Sequence, residues 1–323
     1  MTGIYGITFW IVLVNILLYR LFLNRNKNNL VIALSIAFIP FITGLMLINR
    51  IDTNNNKLLN ATIIQPNVHL HDKRKKGFSQ ENIVKLMQMS MTNISDSTDL
   101  IIWPETSTIS YLLQNNKNQL NFIQKGLRGY NTSLLTGLPY YERNQDRNFI
   151  HYNSIAHINS DTVLNVYHKI LLVPIAESVP LSSTFPSLKK INIGQANFTR
   201  GTEYTIFNIN SHKIGAMVCF ESTFPQHNRQ FVLNGAEVLV YLVNDGWYLT
   251  NPEPKQHAKQ AIFRAIEFRR PVIRCANTGI SQIIDINGNI EKQIELNESG
   301  VINASIIPSN YLTFYAKFGD VFA

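Results

Sequence analysis

Lys213-Ile214-Gly215-Ala216-Met217-Val218-Cys219-Phe220-Glu221-Ser222 is an apolar run that stops at a thiol and turns polar. A buried strand ending there would hold Cys219 at its carboxyl edge, facing a crevice rather than the core. Glu221 brings a carboxylate two residues away, which suits a nucleophile. Taken alone, a free cysteine packs as a small hydrophobe, so the reading of Cys219 depends on its surroundings. The chain has only one other cysteine, Cys275, inside the β-rich run 271–276, where core packing is expected. Two cysteines in such different contexts suggest no disulfide framework.

Working outward, two more strands end in complementary groups. Leu100-Ile101-Ile102-Trp103-Pro104-Glu105 is apolar, is broken by proline and presents a carboxylate. Val166-Tyr167-His168-Lys169 ends in a cation. A carboxylate, an ammonium and a thiol at three strand ends can converge in one crevice. The ammonium favours the thiolate, and the carboxylate can take and return its proton. A lysine and the Phe220 N–H could together stabilise a tetrahedral oxyanion, which suits acyl transfer through a thioester. Each residue has a plainer reading, with Glu105 a surface acid, Lys169 an exposed hairpin residue, and Glu177 and Glu221 solvated turn residues. A Cys–His dyad through His168, His227 or His257 also stays open, because spacing singles out none of them.

Around these motifs lie short β-rich runs at 60–66, 100–103, 133–138, 153–158, 162–167, 204–209, 213–218, 237–243, 272–275, 281–286 and 301–307. Helical spacing marks 80–95 and 256–268. Asn159-Ser160-Asp161, Asn210-Ser211-His212 and Asn287-Gly288 read as hairpin turns. Strands mixed with helices, several in hairpins, predict an α/β layered domain with a mixed sheet.

Residues 4–19 and 30–49 contain no Asp, Glu, Lys or Arg, although charged residues make up 15% of the chain. Residues 30–49 are long enough to span a bilayer, and 4–19 with 21–23 form a second, less clean span. No basic segment precedes the first run, and no small-residue cleavage site follows it, so two spans are expected rather than a signal peptide. Arg20, Arg25 and Lys27 lie between the spans, which puts that loop in the cytoplasm and both flanks outside. The Asn-rich stretch 50–58 reads as a linker. The net charge of +8 fits either a basic surface with no specific partner or attraction to anionic head groups, for which Lys73-Arg74-Lys75-Lys76 is the candidate run. No aromatic-interleaved basic motif argues for nucleic acid.

With these motifs in view, the chain resembles the nitrilase, or carbon–nitrogen hydrolase, superfamily. The likeness rests on Trp103-Pro104-Glu105, on Tyr167-His168-Lys169 followed by Leu172 to Pro180, and on Cys219-Phe220-Glu221. Asn244-Asp245-Gly246-Trp247, Gln256-His257-Ala258 and the segment Arg264 to Gly279 match as well. The branch it most resembles is apolipoprotein N-acyltransferase, set apart by membrane attachment and the spacing from Lys169 to Glu177. The likeness covers 58–320, and the segment Tyr311 to Asp320 is similar to that branch's exit toward a last membrane helix.

The resemblance implies an αββα sandwich with N-terminal transmembrane helices. It divides the chain into 1–57 (two membrane helices and a linker, the remnant of a longer membrane domain), a catalytic domain at 58–320, and the start of a truncated segment at 321–323. Glu105 would be the general base, Lys169 the transition-state stabiliser and Cys219 the nucleophile. Glu177 and Glu221 would support the site, Glu177 by positioning Lys169. Phe220 stands where a tyrosine is often found. Phe220, Trp247 and Tyr248 are the candidate substrate contacts, and 171–198 a candidate flap. A tryptophan often found after the first strand is absent, and residues 71–78 carry basic side chains there instead. The implied reaction moves an acyl chain from a phospholipid to Cys219, then to the α-amino group of a diacylglyceryl-modified apolipoprotein. It needs no cofactor or metal, and the enzyme would be a monomer in a bacterial inner membrane with its catalytic domain on the periplasmic side. The alternative is an amidase of the same superfamily, with water as the acyl acceptor.

Overall fold

The computed structural model describes residues 3–24, 26–47, 57–69, 71–75, 77–179, 197–247 and 252–321, with Arg74 and Trp247 as backbone alone. Two apolar helices, α1 (Gly3–Leu23) and α2 (Lys27–Leu47), come first. Each has 21 residues, about 30 Å of helix, the thickness of a bilayer's hydrocarbon core. They form an antiparallel hairpin, in which Trp10 Nε1 donates to the Ile36 carbonyl at 2.8 Å and its ring meets Phe41 edge-on. The expected spans, 4–19 with 21–23 and, of 30–49, residues 30–47, correspond to these helices; residues 48–49 of the second lie outside the described residues. The outer residues are exposed apolar side chains such as Phe22, Phe41 and Leu45.

The first sheet contains β1 (Leu59–Gln65), β2 (Leu100–Ile102), β3 (Ser133–Arg143), β4 (Phe149–Ile158), β5 (Val163–His168) and, returning from the far end of the chain, β12 (Gly300–Ile306). Its order is β12-β1-β2-β3-β4-β5. β1, β2 and β3 are parallel, and β3, β4 and β5 form an antiparallel meander. The second sheet contains β6 (Ile206–Ile209), β7 (His212–Val218), β8 (Val238–Val243), β9 (Val272–Ala276), β10 (Ser281–Ile284) and β11 (Ile290–Ile294), in the order β11-β10-β9-β8-β7-β6. Here β7, β8 and β9 are the parallel strands.

Parallel neighbours need crossovers, and helices supply them. α3 (Phe78–Asn93), α4 (Leu112–Asn115) and α5 (Lys117–Leu127) serve the first sheet; α6 (Pro225–Leu233) and α7 (Pro252–Phe268) serve the second. Side chains alternate along each strand. Ile63, Leu100, Ile102 and Leu135 face inward against residues of the second sheet such as Met217 and Cys275. Ile64, Ile101, Leu134 and Leu138 face outward onto Ile83 and Leu86 of α3 and Ile123 and Leu127 of α5. Phe231 of α6 and Ala261, Ala265 and Phe268 of α7 cover the other side of the second sheet. The mixed α/β nitrilase-like fold is therefore present, as two sheets between two helical layers.

Sequence patterning missed α5, α6 and β11. Strand β3 also runs five residues past the expected end at 138. The last described helix, α8 (Phe314–Phe318), lies against the start of α1, where the Ile4 N–H donates to Glu267 Oε1 at 2.7 Å and Gly3 sits against the Tyr315 ring.

Candidate functional site

Topology decides where the chemistry collects. Glu105 follows β2, and Asn244 follows β8. Lys169 follows β5, which runs the same way as β3 because two antiparallel steps separate them. Cys219 follows β7. All are at carboxyl ends of strands, where crevices form in such sheets.

The structure brings together the three groups expected to meet. Lys169 Nζ lies 3.7 Å from Glu105 Oε1, and the Cys219 thiol is close enough to the Glu105 carboxylate for each to shift the other's titration. Glu177 takes the same ammonium through both oxygens, at 2.9 and 2.8 Å. Asn153 of β4 donates through Nδ2 to Glu105 at 2.8 Å and to Glu177 at 2.9 Å. Two carboxylates around one ammonium are thus held by a shared amide, and Asn153 had no signal in the sequence beyond its place in a strand.

Glu221 ties two strand ends together. Its Oε1 accepts from Tyr167 Oη at 2.7 Å, from the Ile170 N–H at 2.7 Å and from the Leu171 N–H at 3.0 Å. Its Oε2 accepts from the Val218 N–H at 2.8 Å. One carboxylate therefore grips the backbone just after Lys169 and just before Cys219. Cys219 itself has φ +50°, a left-handed conformation costly for a side chain with Cβ. Such strain persists where the surroundings hold it, and Glu221 is part of that hold.

Close backbone approach supports the other two groups. A Cβ on Gly137 would lie 2.6 Å from the Glu105 Cα. A Cβ on Gly201 would collide with the His168 carbonyl, and the Gly201 N–H donates to the Lys169 carbonyl at 2.9 Å.

The electrostatics are those of a closed site. Burial pushes the Cys219 thiol well above its ordinary value; Glu105 adds to the rise and Lys169 opposes it. Burial also raises the Glu105 carboxyl, against the pull of Lys169. Burial alone would lower Lys169, but Glu105 and Glu177 outweigh it and hold the side chain as an ammonium. Burial therefore favours the protonated thiol at rest, and the neighbouring carboxylate can take that proton when the sulfur attacks a carbonyl.

The three histidines separate. His168 bonds Ser154 at 2.8 Å and stacks on Tyr152. His227 sits 3.3 Å from Glu221. Of the three, His257 is the one beside Cys219, with Nε2 3.2 Å from the Cys219 carbonyl and Nδ1 2.9 Å from Asp245. Cys219, Asp245 and His257 would be the one metal-like grouping among the described residues. Arg274 already pairs with Asp245 at 2.7 Å, so this trio is built for a hydrogen-bonded pair rather than a cation.

Among the expected substrate contacts, Phe220 lies next to the thiol and packs edge-on against Phe224 at 4.8 Å. Trp247 closes a short 3-10 turn as backbone, and Tyr248 lies outside the described residues. Most of the candidate flap, 180–196, lies outside them as well. The basic run after β1 is not a uniform exposed patch. Lys73 turns inward and donates to the Thr106 carbonyl at 3.2 Å, and Lys75 pairs with Asp72. Burial, opposed by Glu105, brings Lys73 down to about 8. Cys275 is buried between the sheets with its thiol toward the Ile64 and Ile102 carbonyls, as core packing requires.

Comparison with known proteins agrees with this geometry. The chain is 30% identical over 338 residues to the apolipoprotein N-acyltransferase of Geobacter metallireducens, all of this chain against 63% of that protein. It is 28% identical to the protein of that name from Thermotoga maritima, 99% of this chain against 59% of that one. The chain thus spans less than two thirds of the length of these two relatives. Its fold is similar to a carbon–nitrogen hydrolase from Helicobacter pylori G27, with a TM-score of 0.58 and 18% identity over 77% of this chain and 89% of that one. It is also similar to an amidase from Nesterenkonia sp. AN1, with a TM-score of 0.58 and 14% identity over 78% and 92%. The family model for carbon–nitrogen hydrolases matches residues 60–312. With strand order, strand-end chemistry and the family match in agreement, the chain belongs to the carbon–nitrogen hydrolase family.

Proposed function

We propose that this chain is the catalytic part of an N-acyltransferase that moves an acyl chain from a membrane phospholipid to the α-amino group of a diacylglyceryl-cysteine peptide. Cys219 attacks the phospholipid ester as Glu105 takes the thiol proton. Lys169 and the Phe220 N–H stabilise the oxyanion. The oxyanion collapses with loss of the lysophospholipid, which regains the proton from Glu105. The amine of the acceptor then attacks the thioester, Glu105 removes its proton, and the thiol re-forms. Glu177 holds Lys169 in place, and Glu221 holds the two backbone segments. Phe220, Trp247 and Tyr248 are proposed to contact acyl chain or peptide.

The observation that carries this reading is the closed Glu105–Lys169–Cys219 cluster on a body that shares its chain with an apolar helical hairpin. The names of the relatives support the same activity. The domain division 1–57, 58–320 and 321–323 is part of the same proposal. The hairpin also supports an orientation. The start of α1 touches α7 through Glu267, and α2 returns antiparallel to it, so the Asn24–Lys27 end, with Arg20 and Lys27, points away from the body. Basic residues at the far end favour the cytoplasm for that loop, and so the periplasmic side of a bacterial inner membrane for the body.

A radiolabelled acyl phospholipid, given with and without a diacylglyceryl-cysteine peptide, tests the reading. N-acylated peptide is expected, with label released slowly when the peptide is absent. Free fatty acid formed equally fast with and without peptide, or ammonia released from small amides with no acyl-peptide, would make the chain a hydrolase instead.

A further inference from the structure

We propose that His257 is a positioning residue for the acyl-transfer reaction: with Asp245 behind it, it clamps the Cys219 carbonyl and thereby aims the Phe220 N–H at the oxyanion. This rests on the reading of Cys219 as the nucleophile.

The geometry is local and complete. The Cys219 carbonyl oxygen accepts from Ser222 Oγ at 2.7 Å and lies 3.2 Å from His257 Nε2. Ser222 Oγ and His257 Nε2 are themselves 3.0 Å apart. A carbonyl can only accept, so Nε2 is the donor toward it. On the other side of the ring, Nδ1 lies 2.9 Å from Asp245 Oδ1 and 3.3 Å from Arg274 Nη2, and Arg274 holds Asp245 Oδ2 at 2.7 Å. Burial would raise the Asp245 carboxyl, but Arg274 and then His257 bring it down to about 2, so it remains an acceptor. Two buried side chains, Ser222 and His257, therefore meet on one carbonyl of the nucleophile, with Asp245 and Arg274 buried behind the ring.

That carbonyl matters because a trans peptide points its C=O and N–H in opposite directions. Fixing the Cys219 oxygen on the His257 side fixes the Phe220 N–H on the other. Phe220 is in the first turn of the 3-10 helix Cys219–Thr223, whose leading amides have no partner inside the helix. Cys219 enters that turn at φ +50°, a conformation that would relax if its carbonyl were released. His257 thus acts through the backbone of Cys219, and in this role it is not the base that takes the thiol proton.

The two roles separate experimentally. Acylation of Cys219 builds an oxyanion, whereas alkylation by iodoacetamide displaces iodide and builds none. Both rates are measured on the whole chain in detergent by intact mass, with acyl donors of two kinds: a phospholipid and p-nitrophenyl butyrate. His257→Ala is expected to slow acylation at least about 30-fold, the order expected when one oxyanion donor is misaimed, while alkylation of Cys219 stays within about threefold. His257→Gln places its amide nitrogen where Nε2 was and should recover most of the acylation rate. His257→Asn, which can reach only Asp245, should not. A parallel fall in alkylation and acylation would overturn the proposal by making His257 a modulator of the thiol. Unchanged acylation in His257→Ala would overturn it outright. Acylation by the ester but never by phospholipid would count against the proposed donor, and the comparison of variants would still decide the role of His257.

Discussion

Lys169 is bound by Glu177 through both carboxylate oxygens, at 2.9 and 2.8 Å, and stands 3.7 Å from Glu105. The closer carboxylate is thus the tether, and the farther one is left free to meet the thiol. In the proposed mechanism, this division lets a lysine ringed by acids stabilise an oxyanion while Glu105 serves as the base. The bidentate contact also fixes the position of a flexible four-carbon side chain.

Glu177→Gln should therefore reduce the rate of Cys219 acylation about 100-fold, the cost of misplacing a reacting group by about an ångström. Glu177→Ala should be at least as slow. Stopped-flow release of p-nitrophenol checks this, and rates within threefold of the parent would show that Lys169 needs no tether.

Glu221 is a different case, since its carboxylate grips backbone rather than the ammonium. Burial would raise its carboxyl, but the hydrogen bond and charge of His227, with Lys169 and the Val218 N–H, bring it below its ordinary value. Glu221→Gln leaves at least one of the gathered donors without its acceptor. A loss of about 3 kcal/mol is expected, the order for breaking one partner of a buried charged group. Thermal unfolding in detergent would show it as a lowered Tm, and an unchanged Tm would contradict the structural role assigned to this carboxylate.

Asp245 sets an acid limit on stability. Its carboxyl is depressed from 3.8 to about 2. A depressed acid contributes stability above its unfolded value, and loses it as pH falls through the folded one. The contribution, of order 2 kcal/mol, should thus be full above about pH 4 and gone near pH 2. Urea midpoints between pH 5 and pH 2.5 should fall more steeply for the parent than for Asp245→Asn. Equal slopes would mean that Arg274 does not hold this group ionised.

Gly137 is a test of packing behind Glu105, the proposed base. A methyl group there would sit 2.6 Å from the Glu105 Cα and 2.8 Å from the Pro104 carbonyl, both of them backbone atoms that cannot swing aside. Gly137→Ala should keep the fold but displace Glu105, cutting acylation at least tenfold with little change in alkylation of Cys219. Full activity in Gly137→Ala would show that the turn after β2 can move without cost.

How much of this was legible in the sequence depended on how each element announces itself. β2, β5 and β7 are apolar runs that end abruptly in Glu105, Lys169 and Cys219, so both the strand and its chemistry could be read. The two apolar helices were legible because charge is confined to Arg20 and Lys27, beside the turn that joins them. β11 (Ile290–Ile294) was not, since it is an edge strand with four of its five residues exposed, and Glu291 and Lys292 interrupt any alternation. α6 begins at Pro225 and carries Gln, His, Asn and Arg, so its single buried apolar pair, Phe231 and Val232, gives little periodicity. α5 did carry a readable stripe in Leu120, Ile123 and Leu127, diluted by the surrounding Asn and Gln. Within the site, Asn153 was invisible as a functional group, and His257 was legible only as one of three histidines open for a Cys–His dyad and as part of a family motif. Their partners, Glu105, Glu177 and the Cys219 carbonyl, reach them only through strand pairing and a crossover, contacts that no local spacing encodes.

The central claim is that the acyl chain travels on the Cys219 sulfur. Its most direct test is intact mass after incubation with a phospholipid of defined acyl chains, followed by peptide mapping. One acyl group on Cys219 is predicted, absent in Cys219→Ala, and discharged by a diacylglyceryl-cysteine peptide to give the N-acylated peptide. Acyl transfer to the peptide that persists in Cys219→Ala, or an adduct mapped to any other residue, would contradict it.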